Sequence, residues 1–235
     1  MIQLIKNLGK GVLRIGGNSS DTTYWTGKQR IAGTPKNNLT TTDIDKFSAF
    51  AKAVGWPVIF GLNLVDNSPA AAPDEAKYLN SILQGLLYAF QNGNEPDLYN
   101  LNQNRSANYS YTDYRAEWDS YYTSIKGKLP SAVFAGPDFG ANINWFKSFA
   151  LDQSNKVAFL DDHYYSTGPA SNPSIIYQNI LTPDNKPGYY LKALRSAAVI
   201  SNLPYRVTEC NSVYGGGKKG VSDIFASALW GLDFM

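Results

Sequence analysis

The chain has 235 residues, of which 43% are apolar and 17% charged, and its formal net charge is +2. This length suits one large domain, and the apolar share excludes a disordered chain. The small net charge gives no reason to expect nucleic acid or an acidic membrane surface as a partner. No apolar run reaches the roughly 18 residues that would mark a membrane-spanning helix.

The chain contains one cysteine and one histidine, Cys210 and His163, which limits its chemistry. A single cysteine cannot form an internal disulfide, and this pair is too small a set for a zinc site. We therefore expect no metal and no cofactor. The segment 1–6 lacks the charged start, apolar middle and cleavage site of a signal peptide, which leaves the cellular compartment unknown.

The first forty residues predict a helix, a strand and a loop. Helical spacing of apolar residues predicts a helix over 2–8, and the run 11–15 predicts a strand followed by a polar turn at 16–21. A phosphate-binding loop is the competing interpretation of the glycines in that turn. It lacks both the dinucleotide spacing and the Lys-Ser/Thr of a P-loop. Residues 22–41 read as a long polar loop.

Strands and helices alternate through the rest of the sequence. Ser110 and Asp113 resemble a capping box at the start of one helix. We expect one incomplete (β/α)8 barrel domain spanning 1–235, because the alternation predicts a parallel sheet but only six of the eight strands of such a barrel are recognisable. Strands are predicted over 57–62, 86–90, 132–136, 157–160 and 205–209, and helices over 44–54, 74–83, 114–129, 145–150, 175–180, 189–201 and from 222 onward.

Two glutamates follow apolar strands at separate places in the sequence. Glu95 comes after the predicted strand 86–90, and Glu209 ends the strand 205–209. Parallel barrels place their chemistry at the carboxyl ends of the strands, so the two side chains can meet at the barrel mouth. A retaining glycosidase needs two carboxyl groups about 5–5.5 Å apart. Asn94, beside Glu95, can donate a hydrogen bond to a sugar hydroxyl.

Four motifs together resemble the retaining (β/α)8 glycoside hydrolases that carry Asn-Glu on barrel strand 4 and Glu on strand 7. The chain looks most similar to family 79 among them, the β-glucuronidase and heparanase group. The motifs are Arg14-Ile-Gly-Gly-Asn-Ser-Ser-Asp21, Gly93-Asn-Glu-Pro-Asp97, Asp162-His-Tyr-Tyr165 and Thr208-Glu-Cys-Asn-Ser212.

The resemblance implies roles for these residues. Glu95 would be the general acid/base and Glu209 the nucleophile, with Tyr165 donating a hydrogen bond that keeps the nucleophile ionised. Tyr214 and Gly215 would lie near the carboxylate of the sugar. The remaining candidates for substrate binding are Asn94 and His163. Arg14 either stabilises the charge of the nucleophile or forms an ordinary salt bridge.

The resemblance also implies that the chain is truncated at both ends. Its visible strands would be barrel strands 2–7, and the C-terminal β-sandwich of the family would be absent. Three hypotheses follow: a retaining glycosidase acting on β-glucuronides or related β-glycosides, a binding-only or catalytically impaired fragment of such an enzyme, and a nucleotide-dependent α/β enzyme. We expect a carbohydrate as the substrate, and self-association through the open barrel edges is possible.

Strand geometry predicts the directions of three residues in or beside these motifs. Neighbouring residues of a strand point to opposite faces, so Asp161 and Asp162 are not expected to face one sugar together. For the same reason we expect Cys210 to point away from the site, into the layer behind Glu209.

Overall fold

Six parallel strands form the centre of the molecule in a computed structural model that describes residues 1–28, 37–182 and 186–235. These strands are β1 Leu13–Ile15, β4 Val58–Leu62, β5 Leu87–Asn92, β6 Ala135–Phe139, β7 Phe159–Pro169 and β8 Tyr205–Tyr214; β2 and β3 form a separate ribbon. Along the sheet they follow the order β1-β4-β5-β6-β7-β8. The parallel pairing confirms the predicted α/β architecture of an incomplete barrel.

The sheet consists of two three-stranded parts that meet between β5 and β6. A parallel bridge joins Phe90 to Phe134, and the backbone N–H of Phe90 donates to the carbonyl of Val133 at 2.9 Å. Among the described residues, β1 and β8 each pair with one neighbour only. The sheet is therefore open between these two edge strands.

Helices connect the strands and cover the outside of the sheet. Capping residues explain several helix boundaries. Thr40 and Asp43 form a capping box at the start of α2, Thr41–Val54, and Gly55 ends that helix in the left-handed conformation at φ 81°. The predicted capping box of Ser110 and Asp113 is confirmed at the start of α4. The helices are α1 Ile2–Asn7, α2 Thr41–Val54, α3 Ala72–Leu83, α4 Tyr111–Lys128, α5 Ile143–Asp152, α6 Tyr177–Leu181, α7 Lys186–Ser201 and α8 Phe225–Phe234.

The main hydrophobic core lies between the sheet and the helices. Trp118 and Tyr114 of α4 are fully buried against Phe134 and against Phe149 of α5. Their rings meet edge to face or tilted, the geometries that aromatic pairs prefer. Most of the aromatic content of this part of the chain therefore serves packing.

The prediction of an unstructured loop over 22–41 is wrong at both ends of that stretch. Strand β2, Thr23–Gly27, pairs in parallel with β3, Asn37–Thr40, as a separate ribbon. Trp25 of this ribbon packs on Tyr78 in a tilted arrangement with ring centroids 5.6 Å apart, which holds the partly buried ribbon against α3. The part of the prediction that concerns residues 29–36 lies outside the described residues.

Some strand boundaries also differ from prediction. The strand predicted over 132–136 is observed as Ala135–Phe139, and those predicted to end at 160 and 209 continue to Pro169 and Tyr214. The residues in these two extensions do not alternate between apolar and polar as a predicted strand would. The two strands are longer than predicted because β7 and β8 pair with each other along the extensions. None of the described helices combines the length and apolar character needed to cross a membrane.

Candidate active site

The two glutamates emerge from strands on opposite sides of the barrel mouth. After β5, Gly93 turns the chain at φ 85°, and Glu95 itself adopts a left-handed conformation at φ 49°. The backbone N–H of Glu95 donates to the carbonyl of Asp138 at 2.8 Å, which fixes that turn to β6. Glu209 lies within β8, opposite His163 in the register of β7 and β8.

The fold brings the two carboxyl groups together. One oxygen of Glu95, one oxygen of Glu209 and one ring nitrogen of His163 all lie within 4.8 Å of one another. The Glu95 side chain is 13% exposed and that of Glu209 is 27% exposed, so both are partly desolvated but open to one cavity. That cavity has a volume of about 700 Å³, which suits a sugar ring and part of a leaving group.

Glu209 is held as a carboxylate by two donors. Arg14 Nη1 donates to its Oε2 at 2.8 Å, and the Tyr165 hydroxyl donates to its Oε1. Burial by itself raises the pKa of Glu209, but the charges of His163 and Arg14 and the two hydrogen bonds outweigh it and lower the pKa. An ionised and oriented carboxylate is the form that a nucleophile requires.

Arg14 connects both glutamate-bearing strands. Besides Glu209, its guanidinium donates to Gln91 Oε1 at 3.0 Å, to Asn94 Oδ1 at 2.9 Å and to Asp138 Oδ2 at 2.6 Å. The planar fork of an arginine can satisfy several such acceptors in one fixed geometry. Arg14 thus contacts Glu209, the predicted nucleophile, and also forms a salt bridge with Asp138, so the contacts of both alternatives that the sequence left open are present.

Asp138 is the buried centre of the site, although no motif in the sequence predicts a role for it. Only 1% of the residue is exposed, and its carboxylate accepts hydrogen bonds from four side chains. The nearby carboxylate of Asp161 accepts from Gln91 Nε2 at 2.8 Å and from the backbone N–H of Asp138 at 2.9 Å. The four donors to Asp138 are Arg14 at 2.6 Å, Gln91 at 2.7 Å, His163 at 2.9 Å and Thr208 at 3.2 Å.

These contacts divide the charge between the two aspartates. Burial opposes ionisation of Asp138, yet Arg14 and His163 lower its pKa to about 2. Asp161, which has no such cation in direct contact, has its pKa raised to about 7 by burial and by the charge of Asp138. Asp138 is therefore the permanent anion of the network.

His163 lies between Asp138 and Glu95. Its Nε2 is 2.9 Å from Asp138 Oδ1 and its Nδ1 is 2.9 Å from Glu95 Oε1. Although burial alone lowers the pKa of the imidazole, the charge and hydrogen bond of Asp138 and the hydrogen bond of Glu95 raise it to about 10. A protonated imidazole donates from both nitrogens and has no lone pair for a metal ion, so the spacing of His163, Glu95 and Glu209 suits a hydrogen-bonded cluster better than a metal site.

Asp21 anchors the segment that carries Asn94. Its carboxylate accepts from the backbone N–H of Asn94 at 3.1 Å, from that of Leu64 at 3.1 Å and from the Tyr99 hydroxyl at 2.7 Å. Asn94 Nδ2 in turn donates to Asn18 Oδ1 at 2.9 Å. The turn over 16–21 therefore positions Asn94. A phosphate-binding loop was the competing interpretation of this turn.

Tyr214 and Gly215 line the cavity on the Glu209 side, beside Tyr165. The rings of Tyr165 and Tyr214 meet edge to face at 6.2 Å. Gly215 and Gly216 have φ values of 82° and 89°, a conformation that favours glycine. The fold therefore places the predicted residues Glu95, Glu209, Asn94, His163, Tyr165, Tyr214 and Gly215 around or next to one cavity.

Two expectations about residues beside the motifs have different outcomes. Asp161 and Asp162 do point apart: Asp161 joins the interior network, while the buried Asp162 makes none of its contacts. Cys210 does not line the cavity, in keeping with its predicted direction away from the site. The expectation that it is buried in the layer behind Glu209 is wrong, because this cysteine is exposed on an edge strand of the described sheet.

Comparison with known proteins finds relatives in sequence and in fold. The chain is 30% identical to a β-glucuronidase of Aspergillus niger over 99% of the chain and 50% of that protein. It is 24% identical to a β-glucuronidase of Neurospora crassa over 64% of the chain and 31% of that protein. The chain thus spans about half the length or less of these relatives. No protein-family model matches it.

Solved structures show the same fold. A 4-O-α-L-rhamnosyl-β-D-glucuronidase from Fusarium oxysporum 12S aligns with a TM-score of 0.71 at 22% identity, over 99% of this chain and 54% of that one. The bifunctional glucanase-xylanase CelM2 from a metagenome library aligns with a TM-score of 0.69 at 11% identity, over 99% of this chain and 68% of that one.

The fold places the chain in the class of proteins with a TIM-barrel architecture, here incomplete. Within that class, the sequence matches are to β-glucuronidases, which confirms the resemblance noted from the motifs.

Proposed function

We propose that this chain carries the active site of a retaining glycoside hydrolase that acts on β-glucuronides. The observation that carries the proposal is the separation of at most 4.8 Å between one oxygen of Glu95 and one of Glu209 across a single cavity. Inverting enzymes hold their two carboxyl groups about 6.5–9.5 Å apart to admit a water molecule. The observed spacing favours direct attack by one carboxylate and therefore double displacement.

In the first step, Glu209 attacks the anomeric carbon and Glu95 gives a proton to the departing oxygen. The bond to the leaving group breaks as the ester bond to Glu209 forms. In the second step, Glu95 takes a proton from water, the water oxygen bonds to the anomeric carbon, and Glu209 is released as a carboxylate. Arg14 and Tyr165 hold Glu209 in place for both steps.

The glucuronide preference rests on the relatives and on the Glu209 side of the cavity. Both curated relatives are β-glucuronidases. Gly215 and Gly216 line the cavity with backbone and no side chain, and a run of glycines with positive φ suits recognition of a sugar carboxylate by main-chain groups. Tyr214 adds a hydroxyl on the same side.

A chromogenic β-glucuronide tests the proposal. Wild-type protein should release the chromophore, and Glu209→Ala and Glu95→Ala should each lower kcat by several orders of magnitude. Asp152→Asn, at the surface and outside the lining of this cavity, is the matched control and should retain wild-type turnover. NMR of the first sugar product should show the β-anomer; an initial α-anomer would rule out the retaining mechanism.

A binding-only fragment is the second candidate. It is favoured by the two edge strands, β1 and β8, that each have one partner among the described residues. This candidate predicts calorimetric binding of glucuronate without hydrolysis of the chromogenic substrate.

We further propose that residues 1–235 act as one catalytic unit, and that copies of the chain associate through the edge strands β1 and β8. Sedimentation over a range of concentrations tests the association.

A further inference from the structure

A cavity of about 210 Å³, separate from the candidate catalytic cavity, is lined by the turn over 16–21, by strand β4 and by helices α2 and α3. No described residue lines both cavities. The turn contributes to each of them, because Gly16, Ser19 and Ser20 line the smaller cavity and Asn18 lines the catalytic one. The apolar part of the smaller cavity consists of Ile15, Leu39, Ile44, Phe47 and Phe60.

Glu75, in the first turn of α3, lines this cavity and also a neighbouring one of about 40 Å³. Only 8% of the residue is exposed, and no hydrogen bond or ion pair joins its carboxyl group to another residue in the described parts of the chain. Burial and the charge of Asp74 raise the pKa of Glu75 to about 8. Buried carboxyl groups normally have a partner, because desolvation without one is costly. A ligand in the cavity would supply that partner.

The polar groups around Glu75 offer a ligand mainly acceptors. The Ser20 hydroxyl already donates to a backbone carbonyl at 2.9 Å, and the Thr23 hydroxyl does so at 2.7 Å, so each presents its remaining lone pairs. One N–H of the Asn63 amide is used in the same way at 2.9 Å. Asp43 of α2 adds a second carboxylate, and none of the described residues that line the two cavities is Lys, Arg or His.

These features select a ligand that donates hydrogen bonds and carries positive charge. An ammonium group has three donors and no acceptor. The rings of Phe47 and Phe60, with centroids 6.4 Å apart, form part of the wall, and aromatic rings attract cations. The volume of about 210 Å³ is below the roughly 300–1,000 Å³ of sites for drug-sized ligands, so the ligand has to be small.

We propose that this cavity is a binding site for a small organic cation, a primary ammonium that carries one apolar ring or a short alkyl chain. The ammonium group pairs with Glu75, and the apolar part packs against Phe47 and Phe60. The site goes beyond the proposed hydrolase activity and does not depend on it.

Binding of a cation requires the ionised form of Glu75. The empty site is half protonated near pH 8, so at pH 6 the ammonium has to displace a proton, and the apparent affinity falls. Asp74 precedes Glu75 in α3, and the other titratable side chains that line the two cavities are acidic or phenolic: Asp43, Asp66, Tyr24 and Tyr121. None of these groups is a base that could replace the carboxylate of Glu75 by binding the ammonium as a charged partner at pH 6.

Calorimetric titration with benzylamine, which is protonated at pH 6 and at pH 8, tests the site. At pH 8 the wild type should bind it with a dissociation constant below about 1 mM, and benzyl alcohol, a neutral molecule of the same shape, should bind at least tenfold more weakly. Glu75→Gln should weaken benzylamine binding at least tenfold. Asp152→Asn, which removes a carboxylate outside both cavities, is the matched control and should retain wild-type affinity. Lowering the pH to 6 should weaken binding by the wild type at least tenfold.

The site is overturned if the wild type does not bind benzylamine, binds benzyl alcohol equally well, or has the same affinity at pH 6 and pH 8. Wild-type affinity in Glu75→Gln would overturn it as well. Should that variant not fold, Leu39→Trp fills the cavity and leaves the carboxyl group in place: loss of binding by the folded variant supports the site, and unchanged binding contradicts it. None of these readouts involves turnover, so they judge the cation site even if no glucuronide is hydrolysed.

Discussion

Replacing Asp138 by asparagine tests whether one buried carboxylate holds the two halves of the site together. Asp138 accepts from Arg14, Gln91, His163 and Thr208. Asparagine presents one oxygen in place of two, and its amide N–H groups face either the guanidinium or the other donors. The guanidinium and the imidazolium then lose their anion.

The expected cost follows from this loss. Removing one partner of a buried ion pair typically destabilises a protein by about 3–5 kcal/mol, because the remaining charge stays buried and unpaired. For a domain of this size we expect the unfolding temperature to fall by roughly 6–20 °C. Activity should fall as well, since Arg14 and His163 contact Glu209 and Glu95.

The pH dependence of stability gives a second reading of the same variant. The pKa of His163 is raised from 6.5 to about 10, so its contribution is fully present below pH 6.5 and is lost as pH rises through 10. The pKa of Asp138 is lowered from 3.8 to about 2, so its contribution is present above pH 3.8 and is lost as pH falls through 2. In Asp138→Asn, the alkaline loss of stability should become smaller because His163 has lost its main anionic partner.

Urea unfolding at several pH values between 4 and 10 measures both effects. Asp152→Asn is the matched control, because its ion pair with Arg115 lies at the surface, where the two side chains are 36% and 48% exposed. Such a pair contributes about 0–1 kcal/mol. If Asp138→Asn costs no more than this control, or keeps the alkaline decline of the wild type, then the buried network does not hold the site as argued.

Two further variants test single contacts. Tyr165→Phe removes the hydroxyl that donates to Glu209. Loss of a hydrogen bond to a charged group costs about 1.5–3 kcal/mol, so kcat/KM should fall roughly 10–100-fold and the acid limb of its pH profile should move to higher pH. An unchanged profile would contradict the role of this tyrosine. Gly93→Ala should destabilise the chain more than Gly55→Ala, as measured by urea unfolding: both glycines have φ above 80°, but a Cβ at Gly93 would lie 2.6 Å from the Tyr99 hydroxyl, whereas Gly55 has no atom within 4 Å. Equal costs would show that backbone strain alone matters.

Local sequence was sufficient to locate the two glutamates and their strands. The apolar run before Gly93 predicts a buried strand, and β5 is found over Leu87–Asn92. Apolar periodicity and capping residues likewise predict most helices, because these signals depend on neighbours a few positions away. The Ser110 cap and the Gly55 stop of α2 are examples.

Some site residues could not be recognised from the sequence. Their local sequence patterns become informative only when strands that are distant in the chain are known to be neighbours. Asp138 follows a glycine and a proline, a pattern typical of a turn, yet it lies within β6 in the interior of the barrel. Gln91 and Asp161 lie within strands whose inward face becomes polar only at the site. A polar residue inside an apolar strand was the one available clue.

Two predictions failed for a related reason. The ribbon of β2 and β3 forms because Trp25 packs on Tyr78, far along the chain, and not because of strand periodicity. Cys210 is exposed although its place in the strand beside Glu209 predicts burial in the layer behind the sheet. Both outcomes depend on which elements become neighbours.

The sequence by itself determined that Glu95 follows one strand and that Glu209 belongs to another, since strand periodicity and glycine turns act over a few residues. Only the tertiary structure decided that Glu95 and Glu209 meet within 4.8 Å and that Asp138 supplies the charge between Arg14 and His163. The physical reason is that distances and charges in a barrel depend on how strands curve around a shared interior, and burial sets ionisation there.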